Sequence, residues 1–202
     1  MYVIAVVGAG GKTTRIKRLT DQYVRQGKRV LVTTTTHMYQ EPGMILNGKL
    51  EDIRHQLDKQ NYCICGMPTK ETKFGPLPEE IYEQACRLAD IVLVEADGSR
   101  HMPIKFPADN EPVIPCNVNE IQVVMGLHAI GQPFAKVSHR LELVKKCLDV
   151  SDTDLVSRSQ IEKLWQEGYE KPLHKKYPGV KIIFCPADFE KTDTAIPKSI
   201  FS

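Results

Sequence analysis

The chain has 202 residues, with 27 Lys+Arg against 25 Asp+Glu and a formal net charge of +2. Hydrophobic residues make up 42% and charged residues 26%, which excludes a disordered tail, a collagen-like chain and a coiled coil. The length supports one sizeable core, and the near-balanced charge argues against nucleic acid as the main partner, because phosphate-backbone binding leaves a strong basic excess.

Tyr2 to Val7 is a continuous apolar run closed by glycines. It reads as a buried strand entering a glycine loop, not as a signal peptide, since it lacks a charged n-region and a cleavage site. Thr13 to Gln26 is a helix with Ile16, Leu19 and Tyr23 on one face and Gly27 as its stop. Six basic residues between Arg15 and Arg29 meet the single acid Asp21, which reads as a solvated helix face. Arg29 to Thr34 is a second strand, rich in β-branched residues. Leu50, Ile53 and Leu57 mark a second helix, and Tyr62 to Cys65 a short third strand. Pro78 to Leu88 carries Ile81, Ala85 and Leu88 at helical spacing, with Glu79 and Glu80 in its first turn. Ile91 to Val94 is the fourth strand. Met102 to Cys116 holds Pro103, Pro107, Pro112 and Pro115, which forbid a helix and disfavour a central strand. Ile121 to Met125 is the fifth strand, and His139 to Leu148 a helix. Ser159 and Glu162 have capping-box spacing for a further helix that buries Ile161, Leu164 and Trp165. Val180 to Cys185 is the sixth strand. Continuous apolar runs alternating with helices predict an α/β fold: a three-layer, P-loop NTPase-like domain with a mostly parallel sheet. It is expected to span 1–202 as one domain, with 151–202 completing the sheet.

The uncharged stretches are too short and too interrupted by Gly and Pro to span a membrane. The six cysteines form no CxxC, and the chain is large enough not to need disulfides, so a reducing cytoplasm is expected. Cys63 and Cys65 sit two apart on a strand with no further metal-spaced ligand, and read as core thiols.

The strongest motif is Gly8-Ala9-Gly10-Gly11-Lys12-Thr13-Thr14, between the first strand and the first helix. Phosphates need backbone amides, close backbone approach and a helix N-terminus. Glycines allow the approach, Lys12 would reach the β/γ-phosphates, and the Thr13 hydroxyl would bind Mg²⁺. The usual pattern begins with a glycine where this chain has Val6. The fourth strand ends in Glu95-Ala96-Asp97-Gly98, acids suited to a magnesium shell opposite a phosphate loop. Glu95 is expected in the metal shell and Asp97 in water or substrate positioning, with the order of the two open. Gly98 would place its amide near a γ-phosphate. Thr36 and His37 lie past the second strand, where parallel sheets present ligands, while Thr33 and Thr34 read as strand formers. Arg100, His101 and Lys105 offer cations for a second anionic ligand, or plain solvated charge. His139-Arg140 could face the same crevice. Asp188, after the last strand, is the one match to a guanine-reading Asn-Lys-x-Asp pattern. The proline-rich segment is expected over the crevice as a hinged lid or, equally, as a stiff connection.

The phosphate loop, the run Val32-Thr33-Thr34-Thr35-Thr36-His37-Met38, and Glu95-Ala96-Asp97-Gly98-Ser99-Arg100 with Pro103-Ile104-Lys105 resemble the YqeC family. So do Glu111-Pro112-Val113-Ile114-Pro115 and His139-Arg140. The Gly-Lys-Thr-Thr part alone also looks like Mur ligases. The resemblance implies a P-loop nucleotide-binding fold and an accessory role in maturing selenium-dependent molybdenum hydroxylases. A molybdenum-pterin cofactor or a client hydroxylase would then be the partner. It supplies no reaction, and Cys185-Pro186 departs from the family near the last strand. Two functions follow as expectations. One is a Mg²⁺-dependent ATP or GTP enzyme with Lys12, Glu95 and Asp97 as its catalytic residues. The other is a nucleotide-sensing switch or chaperone without chemistry of its own.

Overall fold

A computed structural model describes residues 1–70 and 72–187. The first strand, β1 (Tyr2–Gly8), is buried from Val3 onward. It leads through the glycine loop into α1 (Lys12–Arg25) and β2 (Val30–Thr34). Then follow β3 (Met38–Tyr39), α2 (Leu50–Gln60), β4 (Tyr62–Ile64), β5 (Met67–Lys70), β6 (Lys73–Gly75), α3 (Glu79–Arg87) and β7 (Ile91–Glu95). The second half holds β8 (Ile104–Lys105), β9 (Glu120–Gly126), α4 (Phe134–Val137), β10 (Ser138–His139) and α5 (Leu141–Leu148). It ends with α6 (Arg158–Trp165), α7 (Lys171–Lys176) and β11 (Lys181–Ala187).

All six apolar runs enter one parallel sheet, in the order β11-β9-β1-β7-β2-β4. Alternation along the strands separates two apolar faces. Ile4, Val6, Val30, Val32 and Leu93 pack against Ile16 and Leu19 of α1. On the other face, Val3, Leu31, Val92 and Val94 meet Ile53 and Leu57 of α2 and Ala85 of α3. Ala5, Val7, Ile121, Val123 and Met125 meet Val144 of α5, and Ile161 and Leu164 of α6. The result is a three-layer α/β fold with the strand C-termini, and the glycine loop, at one edge. Cys63 and Cys65 are free thiols in the core under α2 and α3. Among the described residues no helix is long and apolar enough to cross a membrane.

Several local expectations need correction. His139 belongs to β10, which pairs with β8, and Arg140 has a left-handed φ of 61°; the helix begins only at Leu141. The helix starts later than expected because Ser138 and His139 serve a strand pairing with Ile104 and Lys105, which periodicity does not reveal. The capping box is Ser157 with Gln160, not Ser159 with Glu162. The proline-rich segment is stapled down: the Gly126 amide donates to the Pro103 carbonyl at 2.9 Å, and the Val113 amide to the Ala96 carbonyl at 2.9 Å. Its Ile104 and Lys105 form β8. Three small strands, β3, β6 and β5, form an antiparallel sheet beside the crevice that the sequence pattern did not reveal.

The capping geometry makes a direct prediction. Ser157→Ala removes the side chain that accepts from the Gln160 amide, and should cost about 1 kcal/mol in urea unfolding, whereas Ser159→Ala should cost close to nothing.

Candidate functional site

The loop after β1 turns through three glycines of positive φ: Gly8 at 95°, Gly10 at 71° and Gly11 at 142°. Side chains are excluded as well as strained there. A Cβ on Gly8 would lie 2.0 Å from the Val124 carbonyl oxygen, and one on Gly10 would lie 2.5 Å from the Pro103 oxygen. The first two amides of the loop are spent inside the fold. Gly8 N–H donates to both oxygens of Asp97, at 3.1 and 3.0 Å, and Ala9 N–H donates to the Val124 carbonyl at 2.8 Å. Gly10 to Thr14 instead line the crevice. α1 has no side-chain cap and no acid in its first turn, so its leading amides and dipole stay open to an anion.

Lys12 is buried and folded back over the loop. Its ammonium donates to the Gly8 carbonyl at 2.7 Å and to the Ser99 hydroxyl at 3.2 Å, and lies 3.3 Å from Asp97 Oδ1. Asp97 is wholly buried. Besides Gly8 and Lys12, its carboxylate takes the Lys105 ammonium at 3.0 Å and the Tyr169 hydroxyl at 3.2 Å. Asp97 therefore lies behind the loop rather than in the crevice, in a place to hold Lys12 and Gly8 rather than to touch a nucleophile. Lys105 is likewise enclosed. Its three donors meet Asp97, Glu111 Oε2 at 2.8 Å and the Gly98 carbonyl at 2.7 Å. The expected contact of Lys105 with a second anion is thus replaced by an internal one.

Glu95, at the end of β7, does reach the crevice, as do Thr13, Gly98 and Arg100. Burial raises its carboxyl to about 7, helped by Asp97 and opposed by Lys12, Lys105 and a hydrogen bond with the Thr13 hydroxyl. A buried acid and a hydroxyl side by side are hard oxygen donors of the kind Mg²⁺ takes alongside phosphates and water, so the residues fit that ion. Among the described residues, no group of three or more His, Cys, Asp or Glu converges on a metal position.

The crevice measures about 1070 Å³. Its far wall carries Thr36, His37, Tyr39 and Lys73 from the region after β2, and Arg100 and His101 from the turn after β7. Arg100 and His101 are both non-glycine residues in the left-handed region, at φ 49° and 62°. Such a conformation costs of order 1 kcal/mol per residue and is typical of functional turns. Glu111, from the proline-rich segment, borders the crevice and pairs with Arg140 at 2.8 Å. Burial pushes the Glu111 carboxyl up, but Arg140 and Lys105 outweigh it and hold it down at about 2. Burial, with Lys105 and Arg140 nearby, lowers the His139 imidazole. Asp188 lies outside the described residues.

Sequence reasoning missed Tyr169, which stands in a five-residue π-turn (Gln166–Glu170) between α6 and α7 and is completely buried. Nothing in its local sequence marks it. Tyr39 and Lys73 were also missed, since the small sheet that presents them has no periodic signal.

Fold and site together define a parallel α/β protein with a glycine-lysine-threonine loop between its first strand and first helix. The family model of the YqeC protein matches residues 4–142, so the chain belongs to the YqeC family. The uncharacterized protein YqeC of Escherichia coli (strain K12) is 38% identical over 149 residues, 67% of this chain and 55% of that protein. The chain thus spans little more than half the length of this curated relative. Among solved structures, the MinC:MinD cell division protein complex of Aquifex aeolicus aligns at 9% identity with a TM-score of 0.46, covering 92% of this chain and 68% of that one.

Two outcomes test the site. The raised Glu95 carboxyl binds a proton in the folded state between its ordinary value of 4.5 and about 7, where the unfolded chain has lost it. Its contribution to stability therefore falls as pH rises through that window. Glu95→Gln should stabilise the metal-free protein at pH 8 by up to about 3 kcal/mol, with the gain shrinking toward zero near pH 4.5, measured by urea unfolding at both pH values. Asp97→Ala should cost about 3–5 kcal/mol at neutral pH, because it leaves the buried Lys12 ammonium without its counter-charge and Lys105 with Glu111 alone.

Proposed function

We propose that the chain binds a nucleoside triphosphate, ATP or GTP, together with Mg²⁺, through Gly10 to Thr14. The observation that carries this reading is the loop itself. Uncapped helix amides and a lysine held over them face a crevice, with Glu95 and Thr13 alongside. An incoming phosphate would take over the Lys12 ammonium from its internal acceptors. Asp97 acts as a positioning residue: it keeps the loop in its left-handed path and Lys12 near the phosphate position. Bound Mg²⁺, held by Glu95 and Thr13, would supply charge neutralisation on the phosphates. Catalysis at such a site is chiefly positioning and electrostatics. Thr36, His37 and Arg100 would wall a second pocket beyond the terminal phosphate, which favours an NTPase or an NTP-dependent transferase. Membership of the YqeC family supports an accessory role in maturing selenium-dependent molybdenum hydroxylases. The second ligand would then be a molybdenum-pterin cofactor or the client protein. Six free cysteines support a cytoplasmic setting.

A second reading, a nucleotide-sensing switch that docks a client, has its own support. Lys12, Asp97, Lys105, Glu111 and Arg140 form a continuous chain of ion pairs from the loop to the start of α5. A phosphate that draws Lys12 away changes the charge seen by every later member.

Calorimetry with ATP and GTP, with and without Mg²⁺, tests the common part. Lys12→Ala should weaken binding about 100-fold or more in a protein that still unfolds cooperatively. Unchanged affinity in the folded variant would overturn the phosphate-loop reading. Turnover by the wild type under the same conditions separates the enzyme from the switch.

A further inference from the structure

We infer that the far end of the crevice is a second ligand subsite, built for a planar heteroaromatic ring that carries an acidic group. Two rings from separate parts of the chain meet there. Tyr39, on β3, stacks on His101, in the turn after β7, with centroids 5.5 Å apart and planes at 28°. The Lys73 ammonium lies over the same Tyr39 ring, 4.9 Å from its centroid. Tyr39 is nonetheless 52% exposed, which is unusual for an aromatic ring set in a concave wall. A half-exposed tyrosine beside a second ring gives the crevice an aromatic surface on which a ligand ring can pack.

The acid beside the platform, Glu41, is already paired with Lys17 at 2.8 Å, so the other polar groups define the ligand's charge. Arg100 and His37 border the same space. Among the described residues, no hydrogen bond or ion pair engages the Arg100 guanidinium or the His37 imidazole. With Lys73, they place cationic or donor groups around one aromatic face. A neutral apolar ring would leave these groups without partners, and a compact inorganic anion would leave the ring uncovered. A planar ring with a phosphate or carboxylate satisfies both. The backbone agrees: Arg100 and His101, which both line this wall, are successive left-handed residues, a strained pair of the kind found at ligand sites.

Position separates this subsite from the loop. In the sheet, β7 and β2 follow β1 on one side, and Tyr39 and His37 lie beyond β2. Glu95, at the end of β7, stands between the loop and the platform. The crevice, at about 1070 Å³, lies at the large end of the usual range for a small-molecule site, roughly 300–1,000 Å³. The inference rests on the phosphate-loop reading only for what the second ligand meets, namely the terminal phosphate.

The test uses flavin mononucleotide as a planar phosphorylated probe, with riboflavin (ring alone) and ribose 5-phosphate (phosphate alone) as its halves. Each is titrated calorimetrically into protein saturated with Mg²⁺ and a non-hydrolysable ATP analogue, and into nucleotide-free protein. The expected result is binding of flavin mononucleotide about tenfold or more tighter than either half. Tyr39→Ala and Arg100→Asn should each weaken it about tenfold, while Tyr39→Phe keeps it. Asn tolerates the left-handed backbone at 100, so that variant removes charge without adding strain. Affinity for the ATP analogue should stay within about twofold in both Tyr39 variants. Flavin mononucleotide that fails to bind, or binds Tyr39→Ala as well as wild type, overturns the proposal. So does a Tyr39→Ala that loses the ATP analogue instead, since the platform would then hold the base of the loop nucleotide. If wild type binds no ATP analogue, the loop reading fails, and the titration of nucleotide-free protein still decides this one.

Discussion

The site depends on one buried carboxylate. Asp97 is closed off from water and must find its hydrogen bonds and counter-charge inside the protein, because an isolated buried charge costs many kcal/mol. It finds them in the Gly8 amide, two lysines and a tyrosine hydroxyl. Each of these partners comes from a different element, so satisfying one charge fixes the loop, the end of β7, the proline-rich segment and the α6–α7 turn together. The glycine loop is shaped less by its own preference than by this anchor and by the backbone of β9 and the Pro103 carbonyl pressing on it.

The same arrangement separates two acids that stand two residues apart. Glu95 ends β7 and reaches the crevice, with one hydroxyl neighbour and a carboxyl poised near neutrality. Asp97 turns behind the loop into a nest of donors. A group that binds a cation must be able to exchange partners, and Glu95 can. Asp97 has none to release without exposing buried ammoniums. One acid is therefore available to a ligand, and the other maintains the place where the ligand sits.

Tyr169 extends this logic beyond residues 4–142, the part matched by the family model. Its π-turn also brings Gly168 against the proline-rich segment, where a Cβ would lie 3.0 Å from Pro107. The C-terminal helices thus take part in organising the loop. With Glu111 and Arg140, the network ties three stretches distant in sequence to the position of Lys12.

The strand and helix order, the parallel sheet and the glycine-lysine-threonine loop were legible in the amino-acid order, because these follow from short-range causes. Continuous apolar runs demand burial on both faces, glycines permit positive φ, and Lys-Thr at a helix start is local chemistry. The same order put Glu95 at a strand end that must open toward the loop. Which acid faces the crevice, the enclosure of Lys105, the start of α5 at Leu141 and the arrival of Tyr39, Lys73 and Tyr169 come from the packed fold. These outcomes depend on which donors converge from distant elements. The free energy of a buried charge is set by that whole surrounding, so no window of neighbouring residues carries it.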